Sequence, residues 1–194
     1  MNCRFCGAPL EHIFADLHSS PPSNSFLTKA QLDEPEISYP LKVMVCDSCW
    51  LVQIAESKKA MEIFKDNYVY YSSESPANVS HAKEYVEMMV KRFGLDEGGK
   101  RVLEIGSNDG YLLQHFKDAG IDVFGIDPAE GPASVAWVKD IPTSIEFFDS
   151  DLAKTMCDEM DLICGINVLA HQPDINDFVE GLRIALKPNG VITF

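Results

Sequence analysis

The run Val102-Leu103-Glu104-Ile105-Gly106-Ser107-Asn108-Asp109-Gly110-Tyr111-Leu112-Leu113 decides the fold. It reads as a buried strand, then a tight glycine turn, then the first residues of a helix. Working outward, Phe124-Gly125-Ile126-Asp127 reads as a second strand that ends in an acid. An acid about twenty residues beyond a glycine turn is placed to grip ribose hydroxyls, and the glycines let the backbone approach a cofactor closely.

The alternation continues on both sides of this pair. Strands are expected at 101–105, 122–126, 143–148, 161–166 and 190–194. Helices fit between them near 111–119, 132–139, 150–157 and 175–186. An amphipathic helix over 78–93 comes first, with Val79, Ala82, Tyr85, Val86, Met89, Val90 and Phe93 at helical spacing and Gly94 closing it. The pattern predicts an α/β fold, a Rossmann-like parallel sheet with helices on both faces. The chain stops at Thr193-Phe194, inside the fifth expected strand. The sheet is therefore expected to be incomplete at its C-terminal end and the chain to be part of a longer protein. An unpaired strand there offers an edge through which a partner could associate.

The glycine spacing bears on the cofactor. It is G-x-x-x-G, not the G-x-G-x-x-G that cradles a pyrophosphate. S-adenosylmethionine has an adenosine, a sulfonium and an amino acid but no phosphate, and fits better than a nicotinamide dinucleotide. Open α/β sheets bind ligands at the carboxyl ends of their strands. The cofactor-binding residues expected there are Glu104 toward the amino group and Gly106 and Gly110 along the methionine part. Ser107, Asn108 and Asp109 fill the turn, and Asp127 meets the ribose with Pro128 stiffening its turn. Phe148 and Asp149 are expected near the adenine, with Asn167 and Val168 as the floor.

The chain of 194 residues carries a net charge of −14. So acidic a surface repels phosphate backbones, which argues against nucleic-acid binding. No apolar stretch is long enough to span a bilayer, and Met1-Asn2-Cys3-Arg4-Phe5 lacks the apolar core of a signal peptide. A cytoplasmic location without membrane partners is expected. Four of the six cysteines fall in two C-x-x-C pairs, Cys3/Cys6 and Cys46/Cys49. In a reducing compartment such pairs read as metal ligands, and four thiolates satisfy a structural zinc ion with no open position. Reduced free cysteines or a redox dithiol are the alternatives. Cys164, among Leu162, Ile163 and Ile166, reads as core, and Cys157 as a helix residue.

Several further stretches fall in a telling order: Cys3-Arg4-Phe5-Cys6-Gly7, Pro22-Ser23-Asn24-Ser25-Phe26-Leu27, Tyr39-Pro40-Leu41 and Cys46-Asp47-Ser48-Cys49-Trp50-Leu51-Val52-Gln53. Then come Tyr68-Val69-Tyr70-Tyr71-Ser72-Ser73, the Glu104–Gly110 turn, and Asn167-Val168-Leu169-Ala170-His171-Gln172-Pro173-Asp174. Together they resemble the sugar C-methyltransferases that act on nucleotide-linked deoxy-ketosugars. The resemblance implies a zinc-binding domain over 1–70 and a class I S-adenosylmethionine-binding methyltransferase domain over 71–194. Family members continue into a C-terminal domain, and this chain is expected to be truncated before it. The implied reaction is C-methylation through an enolate, since a proton alpha to a ketone is within reach of an enzyme base. His171, in the loop after the fourth strand, is the best acid-base candidate, and the phenols of Tyr70 and Tyr71 are candidates for the sugar or the enolate oxygen. Two other readings remain open from the residues alone: a non-catalytic zinc- and cofactor-binding fragment that needs a C-terminal partner, and a nicotinamide-dependent enzyme.

Overall fold

The computed structural model describes residues 1–54, 60–64 and 68–194. Residues 55–59 and 65–67 fall within the expected first domain but lie outside the described residues. The chain divides into two compact units. The first takes Met1–Ile63 with Pro173–Ile175, and the second takes Phe64–Gln172 with Asn176–Phe194.

In the first unit, β1 (His12–Ser20), β2 (Tyr39–Val45) and β3 (Val52–Ile54) form an antiparallel sheet in the order β1-β2-β3. β2 and β3 flank the second cysteine pair, Cys46 and Cys49. β1 was not legible. Its register on β2 shifts between Ile13 and Ala15 and again between Asp16 and Ser19. Each shift breaks the period-two alternation by which a strand is recognised. A 3₁₀ turn at Lys29–Asp33 is held by a reciprocal Thr28–Gln31 capping box, and α1 (Ala60–Ile63) is a single turn.

Each cysteine pair closes a knuckle of the same design. Gly7 N–H donates to Cys3 O (2.9 Å) and Cys3 N–H to Ala8 O (2.8 Å), while Trp50 N–H donates to Cys46 O (2.8 Å) and Cys46 N–H to Leu51 O (3.0 Å). The residue four beyond the leading cysteine is left-handed in both, Gly7 at φ 75° and Trp50 at φ 66°. A bulky side chain rarely adopts that region, and the Trp50 ring is 75% exposed.

The second unit opens with α2 (Pro76–Phe93). Ser75 caps it by accepting from Asn78 N–H, Pro76 supplies the first turn, and Gly94 ends it at φ 58°. Then follow β4 (Arg101–Ile105), α3 (Leu113–Asp118), β5 (Asp122–Ile126), α4 (Glu130–Val138), β6 (Thr143–Ser144), α5 (Ser150–Ala153), β7 (Met160–Cys164), α6 (Ile175–Ala185) and β8 (Leu186–Thr193). The five strands pair in parallel in the order β6-β5-β4-β7-β8. Successive side chains of β4 enter different cores. Val102 packs with Ala82, Val86, Leu112 and Phe116, while Leu103 and Ile105 pack with Phe148, Phe178 and Leu182. A parallel sheet covered on both faces is the fold that the alternation implied.

Several expected elements differ in length. The strand expected at 143–148 contains only Thr143 and Ser144, because its partner β5 ends opposite Ser144 at Ile126. The helix expected at 150–157 is α-helical only to Ala153 and tightens into a 3₁₀ turn over Lys154–Met156. β8 begins at Leu186 instead of 190, directly after α6, and bulges between its pairings with Met160 and Leu162.

The amino ends of the strands are tied by ion pairs. Asp161 accepts from Lys187 Nζ (2.6 Å), Lys100 Nζ (3.3 Å) and Arg101 N–H (3.0 Å), and Arg101 also pairs with Asp122 and Glu159. Partial burial works against the Asp161 charge, yet Lys187, the Arg101 N–H and Lys100 hold its carboxyl below the ordinary range. At the edge of the unit, Trp137 of α4 donates from Nε1 to Thr143 O at 2.9 Å. Among the described residues no helix is long and apolar enough to cross a membrane.

Candidate functional site

The site grows out of the end of β4. Gly106 and Ser107 N–H both donate to Ile126 O, at 2.7 and 3.2 Å, which bends the chain across the top of β5. Gly110 N–H closes the turn on Ser107 O at 3.0 Å. Gly106 (φ 70°) and Gly110 (φ 72°) are both left-handed. A Cβ on Gly106 would stand 2.5 Å from Val168 Cγ2, and one on Gly110 would stand 2.5 Å from Ile141 Cδ1. Only glycine meets both the dihedral and the space at these positions.

Three carboxyl groups gather under this turn, all buried: Glu104, Asp109 and Asp127. Glu104 follows Val102 on the same face of β4 and is fully buried there. Neither of its carboxyl oxygens has a hydrogen-bond partner, and the same holds for Asp109 Oδ1 and Ser107 Oγ. Burial, with the charges of Asp127 and Asp109 adding to it, pushes the Glu104 carboxyl well above the usual carboxylate range. Asp127 is also raised: burial outweighs the N–H groups of Ala129 and Asn108, which donate to Oδ1 (2.9 Å) and Oδ2 (2.8 Å). Among the described residues one ammonium approaches the group. Lys139 Nζ stands 4.0 Å from Asp109 Oδ2 and donates to Asp109 O at 2.7 Å.

Buried acceptors without donors call for a ligand that brings positive charge or hydroxyl protons. S-adenosylmethionine offers an ammonium, a sulfonium and ribose hydroxyls, and the residues present fit it. A pyrophosphate would face like charge.

A segment before α2 is fastened onto the same turn. Asn108 accepts from Ser72 N–H at Oδ1 (2.8 Å) and donates from Nδ2 to Tyr70 O (3.1 Å). Asp109 Oδ2 accepts from Ser73 N–H (3.2 Å) and from the Ser73 hydroxyl. Tyr70 OH accepts from Asn78 Nδ2 at 3.3 Å, its ring half exposed, and Tyr71 is half-buried. Asn108 and Asp109, expected as cofactor contacts, also hold Tyr70–Ser73 with their side chains. Tyr68, which opens the run Tyr68-Val69-Tyr70-Tyr71, has no role in the sequence-based expectations. Its phenol is raised by burial and then by the neighbouring charges of Asp127 and Tyr70.

The remaining expected residues separate. Pro128 is half-buried beside Asp127. Asn167 is left-handed (φ 57°) and exposed, and Val168 lies against Gly106. His171 is exposed on a 3₁₀ turn, Leu169–His171, with its N–H donating to Val168 O at 3.0 Å. Phe148 is a core residue, edge-on to Phe178 at 5.4 Å, and its neighbour Phe147 is the exposed ring of the two. Asp149 caps α5, accepting from Leu152 N–H at 2.8 Å.

The four cysteines of the two knuckles converge in the first unit, their sulfurs all within 4.8 Å of one another. Cys3–Cys49 and Cys6–Cys46 are each 3.6 Å apart. Sulfurs bound tetrahedrally at ~2.3 Å from one zinc stand ~3.8 Å apart, so the cluster fits the ion. Burial opposes ionisation of Cys3, but the N–H groups of Cys6 and Phe5 and the Gln53 amide bring its thiol down to about 6. The Leu51 N–H favours the Cys49 thiolate, yet burial and the three neighbouring sulfurs push it up to about 12. Four adjacent thiolates need a cation between them. Gln53, the last residue of the run that begins at Cys46, donates from Nε2 to Cys3 Sγ (3.2 Å) and accepts from Arg4 N–H (3.0 Å), as residues that orient metal ligands do, a role that no spacing announces.

Comparison with known proteins agrees with this geometry. Residues 3–64 match the family model described as "Putative zinc binding domain", and residues 79–194 match the "Methyltransferase domain" family. The chain is 30% identical over 192 residues to the C-methyltransferase NovU of Streptomyces niveus, an alignment covering 97% of this chain and 45% of that protein. It is 31% identical over 101 residues to the ubiquinone biosynthesis O-methyltransferase of Pseudomonas syringae pv. tomato, covering 50% of this chain and 44% of the relative. The chain thus spans about half the length of the curated relatives it matches. Among solved structures, the PH0226 protein from Pyrococcus horikoshii OT3 superposes with a TM-score of 0.53 at 19% identity, over 63% of this chain and 56% of that one. The chain belongs to the methyltransferase-domain family, with a four-cysteine zinc module preceding a class I S-adenosylmethionine-dependent methyltransferase fold.

Proposed function

We propose that this chain serves S-adenosylmethionine-dependent methylation at carbon, with a nucleotide-linked deoxy-ketosugar as the acceptor. The observation that carries the reading is the 30% identity to a C-methyltransferase that runs through both units, cysteine module and glycine turn in one order. The match to an O-methyltransferase covers only half of the chain.

In this reading the cofactor, when bound, supplies an electrophilic methyl group on a positively charged sulfur. Glu104 holds the ammonium, and its burial makes that ion pair strong. Gly106, Ser107 and Gly110 admit the methionine part, Asp127 and Pro128 meet the ribose, and Asn167 and Val168 border the floor. The chain's remaining task is to prepare a nucleophilic carbon. His171 takes the proton alpha to the ketone, and a phenol of Tyr70 or Tyr71 donates to the enolate oxygen. Holding carbon and methyl in line is then mainly a matter of positioning. The zinc is structural, since four thiolates leave it no open position.

The test is transfer of a labelled methyl group to a panel of thymidine-diphosphate ketosugars and, in parallel, to catechols. The expected product carries the label on a ring carbon, seen by NMR. Label found only on oxygen would overturn the assignment.

A further inference from the structure

We propose that Asn108 is a positioning residue that couples the cofactor turn to the segment carrying Tyr70 and Tyr71. This rests on the reading of the Gly106–Gly110 turn as the cofactor site, and it concerns a task that the turn performs besides binding.

Asn108 is 7% exposed and makes three directed bonds to two separate parts of the chain. Its backbone N–H donates to Asp127 Oδ2 at 2.8 Å. Its side-chain oxygen accepts from Ser72 N–H at 2.8 Å, and its side-chain nitrogen donates to Tyr70 O at 3.1 Å. The peptide units on either side of Tyr71 are therefore both held by one amide. Next to it, Asp109 takes the N–H and hydroxyl of Ser73.

The residue type follows from these demands. At φ 51° the backbone is left-handed, a region open to glycine and asparagine. Glycine would satisfy the turn but hold nothing. Aspartate would accept from Ser72 but could not donate to Tyr70 O, and it would add a fourth acid beside Glu104, Asp109 and Asp127. Asparagine alone meets the dihedral, the donor and the acceptor together.

Asp127 and the tyrosine segment thus share one rigid intermediary. A ligand that steadies Asp127 steadies the Asn108 backbone and, through its amide, residues 70–73. Cofactor binding and ordering of this segment are then two sides of one equilibrium.

Hydrogen exchange on the full chain tests this, with S-adenosylhomocysteine as an unreactive probe whose binding is followed by calorimetry. In the wild type, saturating probe should slow exchange of the Ser72 and Ser73 amides by about tenfold or more. In Asn108→Gly that response should vanish, while affinity for the probe falls by less than about tenfold, because the backbone bond to Asp127 is retained. A wild-type chain that binds the probe without slowing those amides overturns the coupling and leaves the cofactor reading standing. Failure of the wild type to bind the probe overturns both. An Asn108→Gly chain that keeps the full response also overturns the coupling. Should that variant not fold, Asn108→Asp serves: it keeps the acceptor for Ser72 N–H but loses the donor to Tyr70 O, so the response should shrink, and a full response in Asn108→Asp counts against the proposal.

Discussion

The Asn108 N–H and the Asp127 carboxylate meet at 2.8 Å, which joins the turn after β4 to the acid at the end of β5. Asp127 also accepts from Ala129 N–H, so it holds two backbone groups besides its proposed place at the ribose. Asp127→Ala leaves two backbone donors without their acceptor in a buried place, at a cost of about 1–3 kcal/mol each. The expected result is a lowered melting temperature together with loss of S-adenosylmethionine binding by calorimetry. Asp127→Asn keeps one acceptor oxygen and should lose less stability.

Gly106→Ala sets a Cβ against Val168 Cγ2 on a backbone that alanine resists. The strain is expected to cost about 1–3 kcal/mol and to shift the turn. Cofactor affinity should drop at least about tenfold. Adding Val168→Ala removes the clash but not the φ, so the double variant should recover only part of the loss in both calorimetry and thermal melts.

The Glu104 carboxyl sits well above its ordinary range because it is buried and flanked by Asp127 and Asp109. A carboxyl raised on folding makes the cofactor-free protein lose stability as pH climbs from the unfolded pKa toward the folded one. Glu104→Gln removes that penalty. It should raise the melting temperature at pH 7 to 8, with the difference shrinking as pH falls toward about 4, where the unfolded carboxyl is protonated as well. The same variant should bind S-adenosylmethionine more weakly. A variant less stable than the parent at pH 8 would contradict this account.

Asp161 is the opposite case. Lys187, Lys100 and the Arg101 N–H hold it below the ordinary range despite partial burial. Its contribution is present above the unfolded pKa and is lost as pH falls through the folded one. Asp161→Asn should lower the melting temperature at neutral pH, with the difference shrinking as pH falls below about 4, and should leave cofactor affinity unchanged.

Metal analysis should find about one zinc per chain. Cys46→Ser should lose the ion and unfold the first unit, as in small metal-dependent modules, while the melting of the second unit persists. Gln53→Ala removes the donor to Cys3 Sγ and should weaken zinc by roughly tenfold or more in chelator competition.

Much of this was readable from the sequence, for physical reasons. β4, β5, β7 and the helix over 76–93 follow strict periodicities, because buried parallel strands and an amphipathic helix constrain every residue. The glycine turn and the two C-x-x-C knuckles are local, so their residue types announce them. What escaped was non-local. β1 is irregular because its pairing with β2 slips twice. The clasp of Ser72 and Ser73 on Asn108 and Asp109 joins positions 36 apart in the chain, and no spacing rule reports it. Phe147 and Phe148 alternate in burial, but nothing in the pair says which ring turns inward.

The chain has two tryptophans, and one falls in each unit. Trp50 is the left-handed residue beside Cys49, and Trp137 bridges α4 to β6, one residue from the Ala136 that lies against Gly110. Each unit therefore carries its own optical reporter. A Trp137→Phe chain would glow only from the cysteine module, so its emission would follow metal capture. A Trp50→Phe chain would glow only from the sheet, so its emission would follow the fate of the cofactor turn. Two single-colour versions of one molecule would show whether the units come apart in one event or two.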